Sequence, residues 1–183
     1  MIKMIYIFLA DGFEEIEAIS VIDILRRAGV DIKTVGVEGD CVKGTHGIEL
    51  RCDCCLNEIS SSEAEGVVLP GGMPGTTNLL KSEKVCDAIR DAYSKGKLIG
   101  AICAAPSILG EIGILSGKNV CCYPGFESKL KLANISLENV CVDGNIITSK
   151  GPGTAIEFSL EIVKYLKGTN VKDKIQEQLQ WKM

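Results

Sequence analysis

Short, uninterrupted apolar runs alternate with helix-period segments along the whole of this 183-residue chain, and no other feature limits its fold so tightly. Ile5 to Ala10 is a continuous apolar run, Glu14 to Ala28 reads as a helix closed by Gly29, and Ile32 to Val37 reads as a strand. Gly66 to Leu69 is a further strand, stopped by Pro70-Gly71-Gly72. A helix over Glu83 to Lys95 precedes a strand over Leu98 to Ile102, and Ala105 to Gly113 is helical, with Pro106 tolerated in its first turn. Val120 to Cys122 is a short strand, and Val140 to Val142 pairs with Ile146 to Ser149 as a β-hairpin through Asp143-Gly144-Asn145. A last long helix begins at Thr154, where Thr154-Ala155-Ile156-Glu157 has the spacing of a capping box. Strands that are apolar on both faces must be covered on both faces, so the alternation predicts an α/β protein with a mainly parallel sheet between helical layers. There is no repeat or linker, and Ser60-Ser61-Ser62 is a loop or helix start, so one domain is expected.

The bulk properties exclude several classes of function. A net charge of -4 argues against nucleic acid as a partner, since phosphate binding needs a basic surface. The apolar start is short, an acidic cluster follows at once, and no small-residue cleavage site appears, so it reads as a first strand and not a signal peptide. No apolar stretch reaches membrane-spanning length. The nine cysteines, an odd number, predict free thiols in a reducing cytoplasm, most of them packed as small hydrophobes. Cys52-Asp53-Cys54-Cys55 contains a Cys-x-x-Cys spacing without the second pair that zinc wants, and adjacent Cys121-Cys122 chelates poorly, so no metal is expected.

In open parallel sheets, ligands bind outside the carboxyl ends of the strands. That directs attention to the loops after Ala10, Leu69 and Ile102. In Ala101-Ile102-Cys103-Ala104-Ala105-Pro106, small residues stand two before and two after the cysteine, the spacing of a nucleophile elbow with alanines in place of glycines. A strand turning abruptly into a helix crowds its neighbours, and small ones leave the central side chain uppermost. The helix end beyond it is expected to favour the Cys103 thiolate and lower its pKa.

Asp11 and Glu14 have capping-box spacing, whereas Glu17 shares a helix face with Val21, Ile24 and Ala28. A carboxyl on an apolar face is desolvated and holds its proton, so Glu17 is expected to hydrogen-bond the Cys103 sulfur and to shuttle protons. The loop carries four acids and no glycine-rich cradle, which speaks against phosphate. The amides of Gly72 and Ala104 are placed to stabilise an oxyanion. The single histidine, His46, lies well upstream of the cysteine and reads as a surface-turn residue, so a Cys-His hydrolase or peptidase survives only if His46 reaches Cys103 by folding back or from a partner subunit.

These motifs resemble the ThiJ/PfpI superfamily, in the branch that holds the human parkinsonism-associated protein and its bacterial relatives. The resemblance covers nearly the whole chain and is carried by residues 10–17, by Val68-Leu69-Pro70-Gly71-Gly72, by residues 101–106 and by residues 148–154. It implies a flavodoxin-like three-layer α/β/α sandwich, a single domain of class I glutamine amidotransferase-like fold over 1–183, and a homodimer. It implies Cys103 as nucleophile, Glu17 as its carboxylic acid partner, and Gly72 and Ala104 as the oxyanion amides. The activity implied is cofactor-free conversion of methylglyoxal to lactate, with removal of glyoxal adducts as a related deglycase activity. A readily oxidised cysteine, with redox-sensing or chaperone roles in oxidative stress, is the alternative. Where the family often has a histidine before a proline, this chain has Tyr123-Pro124. Glu14, His46 and Tyr123 are the remaining candidates for the pocket or its dimer side.

Overall fold

The computed structural model describes residues 4–60 and 64–181. In chain order its elements are β1 (Met4–Leu9), α1 (Glu15–Arg27), β2 (Asp31–Gly36), β3 (Cys41–Lys43), β4 (Glu49–Arg51), β5 (Cys54–Cys55), β6 (Ala64–Leu69), α2 (Gly75–Lys81) and α3 (Glu83–Ser94). There follow β7 (Leu98–Ile102), α4 (Pro106–Glu111), β8 (Asn119–Val120), β9 (Asn134–Ile135), β10 (Val140–Asp143), β11 (Ile146–Ser149), α5 (Ala155–Lys167) and α6 (Thr169–Gln178). Seven strands form one sheet in the order β10-β11-β7-β6-β1-β2-β5. All pairs are parallel except the β10–β11 hairpin.

The central strand shows why the sheet is a middle layer. Ile5, Ile7 and Leu9 enter a core with Val21, Leu25, Phe158 and Ile162, from α1 and α5. Tyr6 and Phe8 enter the opposite core with Val85, Ile89, Ile108 and Leu109, from α3 and α4. Every residue from Ile5 to Leu9 is buried. Each large aliphatic side chain so covered contributes about 1.5–3 kcal/mol, which fixes this run at the centre and not at an edge. The α/β/α sandwich with a mainly parallel sheet and one hairpin is therefore the architecture the apolar runs predict.

Several local expectations give way. The last helical segment breaks at Gly168, whose φ of +87° ends α5 before α6 begins. The capping box at Thr154 does not form: the Thr154 hydroxyl turns back to Gly151 O at 2.9 Å and to Ser149 Oγ at 2.6 Å. Asp11 does not cap α1 either, because its Oδ1 accepts the Lys43 backbone N–H at 2.8 Å. The strand expected over Val120 to Cys122 covers only Asn119–Val120 and pairs with β9, outside the main sheet. Ser61 and Ser62 lie outside the described residues.

The order β7-β6-β1 puts three carboxyl ends side by side, and the chain leaves β1 toward β2 on one side while β6 and β7 lie on the other. This is a topological switch point, where the loops after Ala10, Leu69 and Ile102 converge.

Candidate active site

Cys103 has φ +67°, one of three non-glycine residues in the left-handed region among those described. That conformation costs an L-residue about 1–2 kcal/mol and needs support from its surroundings. The support is a clamp: the Cys103 N–H donates to Ser149 O at 2.9 Å, and the Tyr123 N–H donates to Cys103 O at 2.8 Å. Ala101, Ala104 and Ala105 are all buried around the turn, so larger side chains would not fit. Cys103 itself is buried but retains 9% exposure, unlike the alanines around it.

Glu17 stands in the first turn of α1 and is wholly buried. Its Oε2 accepts the Gly71 N–H at 2.7 Å, and its buried Oε1 has no well-aligned hydrogen-bond partner. The Cys103 thiol lies beside the carboxyl, and hydrogen bonding to it works to lower the Glu17 pKa against the larger effect of burial. Gly71 explains how the two groups meet. A Cβ there would lie 2.6 Å from Cys103 Cβ, 2.9 Å from Glu17 Oε2 and 3.0 Å from Cys103 Sγ. Thiol and carboxyl thus flank one bare stretch of backbone. Gly72, at φ +89°, packs against Gly12 O and Glu14 N, and its amide and that of Ala104 are directed at the Cys103 sulfur.

The electrostatics follow from burial. Burial pushes the Glu17 carboxyl up to about 7, despite the opposing Gly71 amide and Cys103 thiol, and the charge of Glu14 adds to the rise. Burial also pushes the Cys103 thiol up to about 12, helped by the Glu17 charge and opposed by the Gly72 and Ala104 amides. This corrects the expectation of a lowered thiol pKa. The helix beyond the cysteine, α4, has only six residues, so its dipole is small and desolvation wins. Two negative charges repel strongly in this buried space, so the pair loses one proton near 7 and keeps the other until about 12. Through the neutral range above 7 the pair holds a single proton and a single negative charge, the charge on the Glu17 carboxylate and the proton on the Cys103 sulfur.

His46 lies on the β3–β4 turn and does not contact the thiol of its own chain. Its Nδ1 is 3.0 Å from Glu15 Oε2 and 3.7 Å from Glu14 Oε1, and its ring is exposed. The hydrogen bond to Glu15, then the charge of Glu14, raises the His46 pKa. Burial works to raise Glu15, but hydrogen bonds from His46 and Ile48 outweigh it and leave it lowered. Glu14 is buried, and its backbone N–H donates to Gly71 O at 2.9 Å. Among the described residues, Glu14, Glu15 and His46 form the one group with metal-ligand spacing, their ligand atoms within 4.8 Å of one another. A search for paired cysteines misses it; the signal is the short β3–β4 hairpin, turned at Gly44 to Gly47, which folds over the start of α1. Tyr123 is half-exposed, and a Cβ on Gly151 would lie 3.1 Å from its ring. A cavity of about 650 Å³ opens at the other end of the sheet, lined by Ile5, Asp31, Lys97 and Tyr165, and shares no residue with this site.

Among the described residues, no helix is long and apolar enough to cross a membrane, and all nine cysteines are free thiols. Residues 3–165 match the DJ-1/PfpI family. The chain is 41% identical over 180 residues to "Protein dj-1beta" of Drosophila melanogaster, covering 97% of this chain and 95% of that one. It is 34% identical to the Caenorhabditis elegans "Glutathione-independent glyoxalase DJR-1.2", covering 85% of this chain and 83% of that one. Among solved structures it superposes on "Toxoplasma gondii DJ-1, oxidized" with a TM-score of 0.95 and 32% identity, over 99% of this chain and 100% of that chain. With a family match over residues 3–165 and a relative 41% identical along 95% of its own length, the chain belongs to the DJ-1/PfpI family.

Proposed function

We propose that the chain is a cofactor-free, cysteine-dependent enzyme acting on small reactive dicarbonyls, converting methylglyoxal to lactate. The observation that carries this reading is the wholly buried Glu17 carboxyl, titrating near 7, beside a thiol on a strained turn. A group with that pKa gives and takes protons with equal ease at neutral pH. The Glu17 carboxylate takes the thiol proton as the sulfur attacks the aldehyde carbon and delivers it to the carbonyl oxygen, whose developing negative charge the Gly72 and Ala104 amides receive. Glu17 removes the proton from the former aldehyde carbon and returns it to the adjacent ketone carbon, while the hydroxyl proton on the former aldehyde carbon passes to the ketone oxygen, which leaves a thioester on Cys103. Water cleaves the thioester, releasing the hydroxy acid and regenerating the thiol. Methylglyoxal and water together account for every atom of the product, and the named activity of the nematode relative supports this substrate class.

The same chemistry extends to a deglycase acting on protein or nucleotide adducts. A homodimer is supported by the exposed apolar side chains of Ile16, Ile19, Ile48 and Met73, which surround the start of α1 and the β3–β4 turn. Glu14 and His46 then lie where a second copy would close the pocket, with Tyr123 on its other rim. The reaction is set in the cytoplasm, where the thiol stays reduced.

Purified protein tested for methylglyoxal consumption and lactate formation decides the matter, with turnover expected from the wild type and abolished in Cys103→Ala. Equal turnover by both would remove the proposal. A second reading, a redox sensor or chaperone of the oxidative stress response, is favoured by the unpartnered Glu17 Oε1, which as an acid can donate to an oxygen on sulfur. That reading expects two oxygens gained selectively at Cys103 under mild peroxide with no dicarbonyl turnover. Oxidation scattered over all cysteines would count against it.

A further inference from the structure

Away from Cys103, the fold brings a second pair of sulfurs together. Cys121 follows β8, and Cys141 lies in β10. The antiparallel register sets Cys141 opposite Thr148, with both side chains on one face of the hairpin. The Cys121 N–H donates to Thr148 Oγ1 at 3.0 Å, and the Cys121 sulfur is 3.8 Å from the same oxygen. Cys121 therefore sits over the Cys141–Thr148 pair. The thiol contacts are reciprocal. Cys121 Sγ donates to Asn139 O at 3.7 Å, two residues before Cys141, and Cys141 Sγ donates to Asn119 O at 3.1 Å, two residues before Cys121. The Cys121 sulfur also lies within reach of the Cys141 backbone amide. These contacts draw the two thiols into one small space between β8 and the β10–β11 hairpin. The adjacent Cys122 is engaged elsewhere, near the Phe126 amide and Glu127.

We propose that Cys121 and Cys141 form a second, reversible redox site, a dithiol that closes to a disulfide under hydrogen peroxide independently of Cys103. Cys141 is half-buried and meets the oxidant first, whereas Cys121 is wholly buried. The Cys141 thiolate attacks a peroxide oxygen, the O–O bond breaks, and hydroxide leaves a sulfenic acid. The Cys121 sulfur then attacks the Cys141 sulfur, the S–S bond forms, and the S–O bond breaks to release a second water once protons are counted. Two thiols lose two electrons and two protons, and one peroxide becomes two waters. The closure has a structural consequence, because Tyr123, two residues beyond Cys121, holds the Cys103 carbonyl. Pinning Cys121 to the edge hairpin ties that support of the strained turn to the sheet.

The test uses the intact protein treated with a small excess of hydrogen peroxide, blocked with iodoacetamide, digested with trypsin without reduction and read by mass spectrometry. Cys121 falls in the tryptic peptide 119–129 and Cys141 in 132–150. The expected product is one linkage between these peptides, two hydrogens lighter than their sum, mapped by fragmentation to Cys121. It forms equally in Cys103→Ala, disappears with dithiothreitol, and is lost in Cys141→Ala, a half-exposed site whose variant is checked for an unchanged circular dichroism spectrum. Absence of the linkage under peroxide that oxidises Cys103 overturns the proposal, as does a linkage mapped to Cys122. Because the product is sought in Cys103→Ala, its failure is separate from any failure of the dicarbonyl reading.

Discussion

Gly71→Ala is the substitution with the most to say about the site, because it adds one carbon between its two reacting groups. The new Cβ would lie 2.6 Å from Cys103 Cβ, 2.9 Å from Glu17 Oε2 and 3.0 Å from Cys103 Sγ. Carbon atoms prefer about 3.5–4.0 Å, so the thiol or the backbone must retreat by roughly 1 Å. Gly71 is not among the positive-φ glycines, so the effect is steric and local, without backbone strain. Overpacking of this kind costs about 1–3 kcal/mol of stability. At roughly 2–4 °C per kcal/mol for a chain of this size, the melting temperature falls by about 2–12 °C. A misplacement of about 1 Å costs on the order of a hundredfold in rate, which is the loss expected in methylglyoxal turnover. Gly153→Ala is the control: no heavy atom lies within 4 Å of its Cβ position, and its φ is not positive, so both readouts stay at wild type. Circular dichroism melts and a methylglyoxal consumption assay measure the two effects. Gly71→Ala with wild-type turnover and an unchanged Cys103 titration would refute the crowding on which the geometry of the site is built.

Further outcomes follow from the same structure. Because Glu17 titrates at about 7 when folded and near 4.5 otherwise, its contribution to stability is fully present below 4.5 and is lost as pH rises through 7, by about 3 kcal/mol. Urea unfolding should therefore show the stability of the wild type falling over that window relative to Glu17→Gln, and parallel pH profiles would contradict the raised pKa. Cys103→Gly should be more stable than Cys103→Ala by up to about 1 kcal/mol, since glycine bears φ +67° without penalty; an equal or lower denaturation midpoint would mean the turn is not strained. His46→Ala should keep dicarbonyl turnover, because the imidazole is engaged with Glu15 and not with the thiol of its own chain. A loss comparable to that in Cys103→Ala would instead favour the Cys-His hydrolase reading.

Much of the fold is legible because β1, β6 and β7 are apolar at nearly every position, and only a sheet covered on both faces hides such strands. The turn at Cys103 is legible for a related reason, since alanines at 101, 104 and 105 have no other evident purpose than to clear space. Helix periodicity alone sets Glu17 on the apolar face of α1. The caps are not legible, because Asp11 and Thr154 have several acceptors and donors in reach, and tertiary contacts with Lys43, Ser149 and Gly151 decide among them. The short strands β3, β4 and β5 carry too few residues to show a period. The thiol pKa is misjudged because a sequence reveals that a helix follows but not that it stops after six residues, nor how deeply the sulfur is buried.

The most direct measurement is the alkylation rate of Cys103 as a function of pH, followed by mass spectrometry of its peptide, in the wild type and in Glu17→Gln. The Glu17 carboxylate, formed as pH rises through 7, takes the thiol proton as the sulfur is alkylated, which predicts a wild-type inflection near 7. Removing the carboxyl abolishes that inflection and leaves a thiol that reacts only above its ordinary range, since burial is the largest influence on it. Superimposable curves for the two proteins would contradict the account.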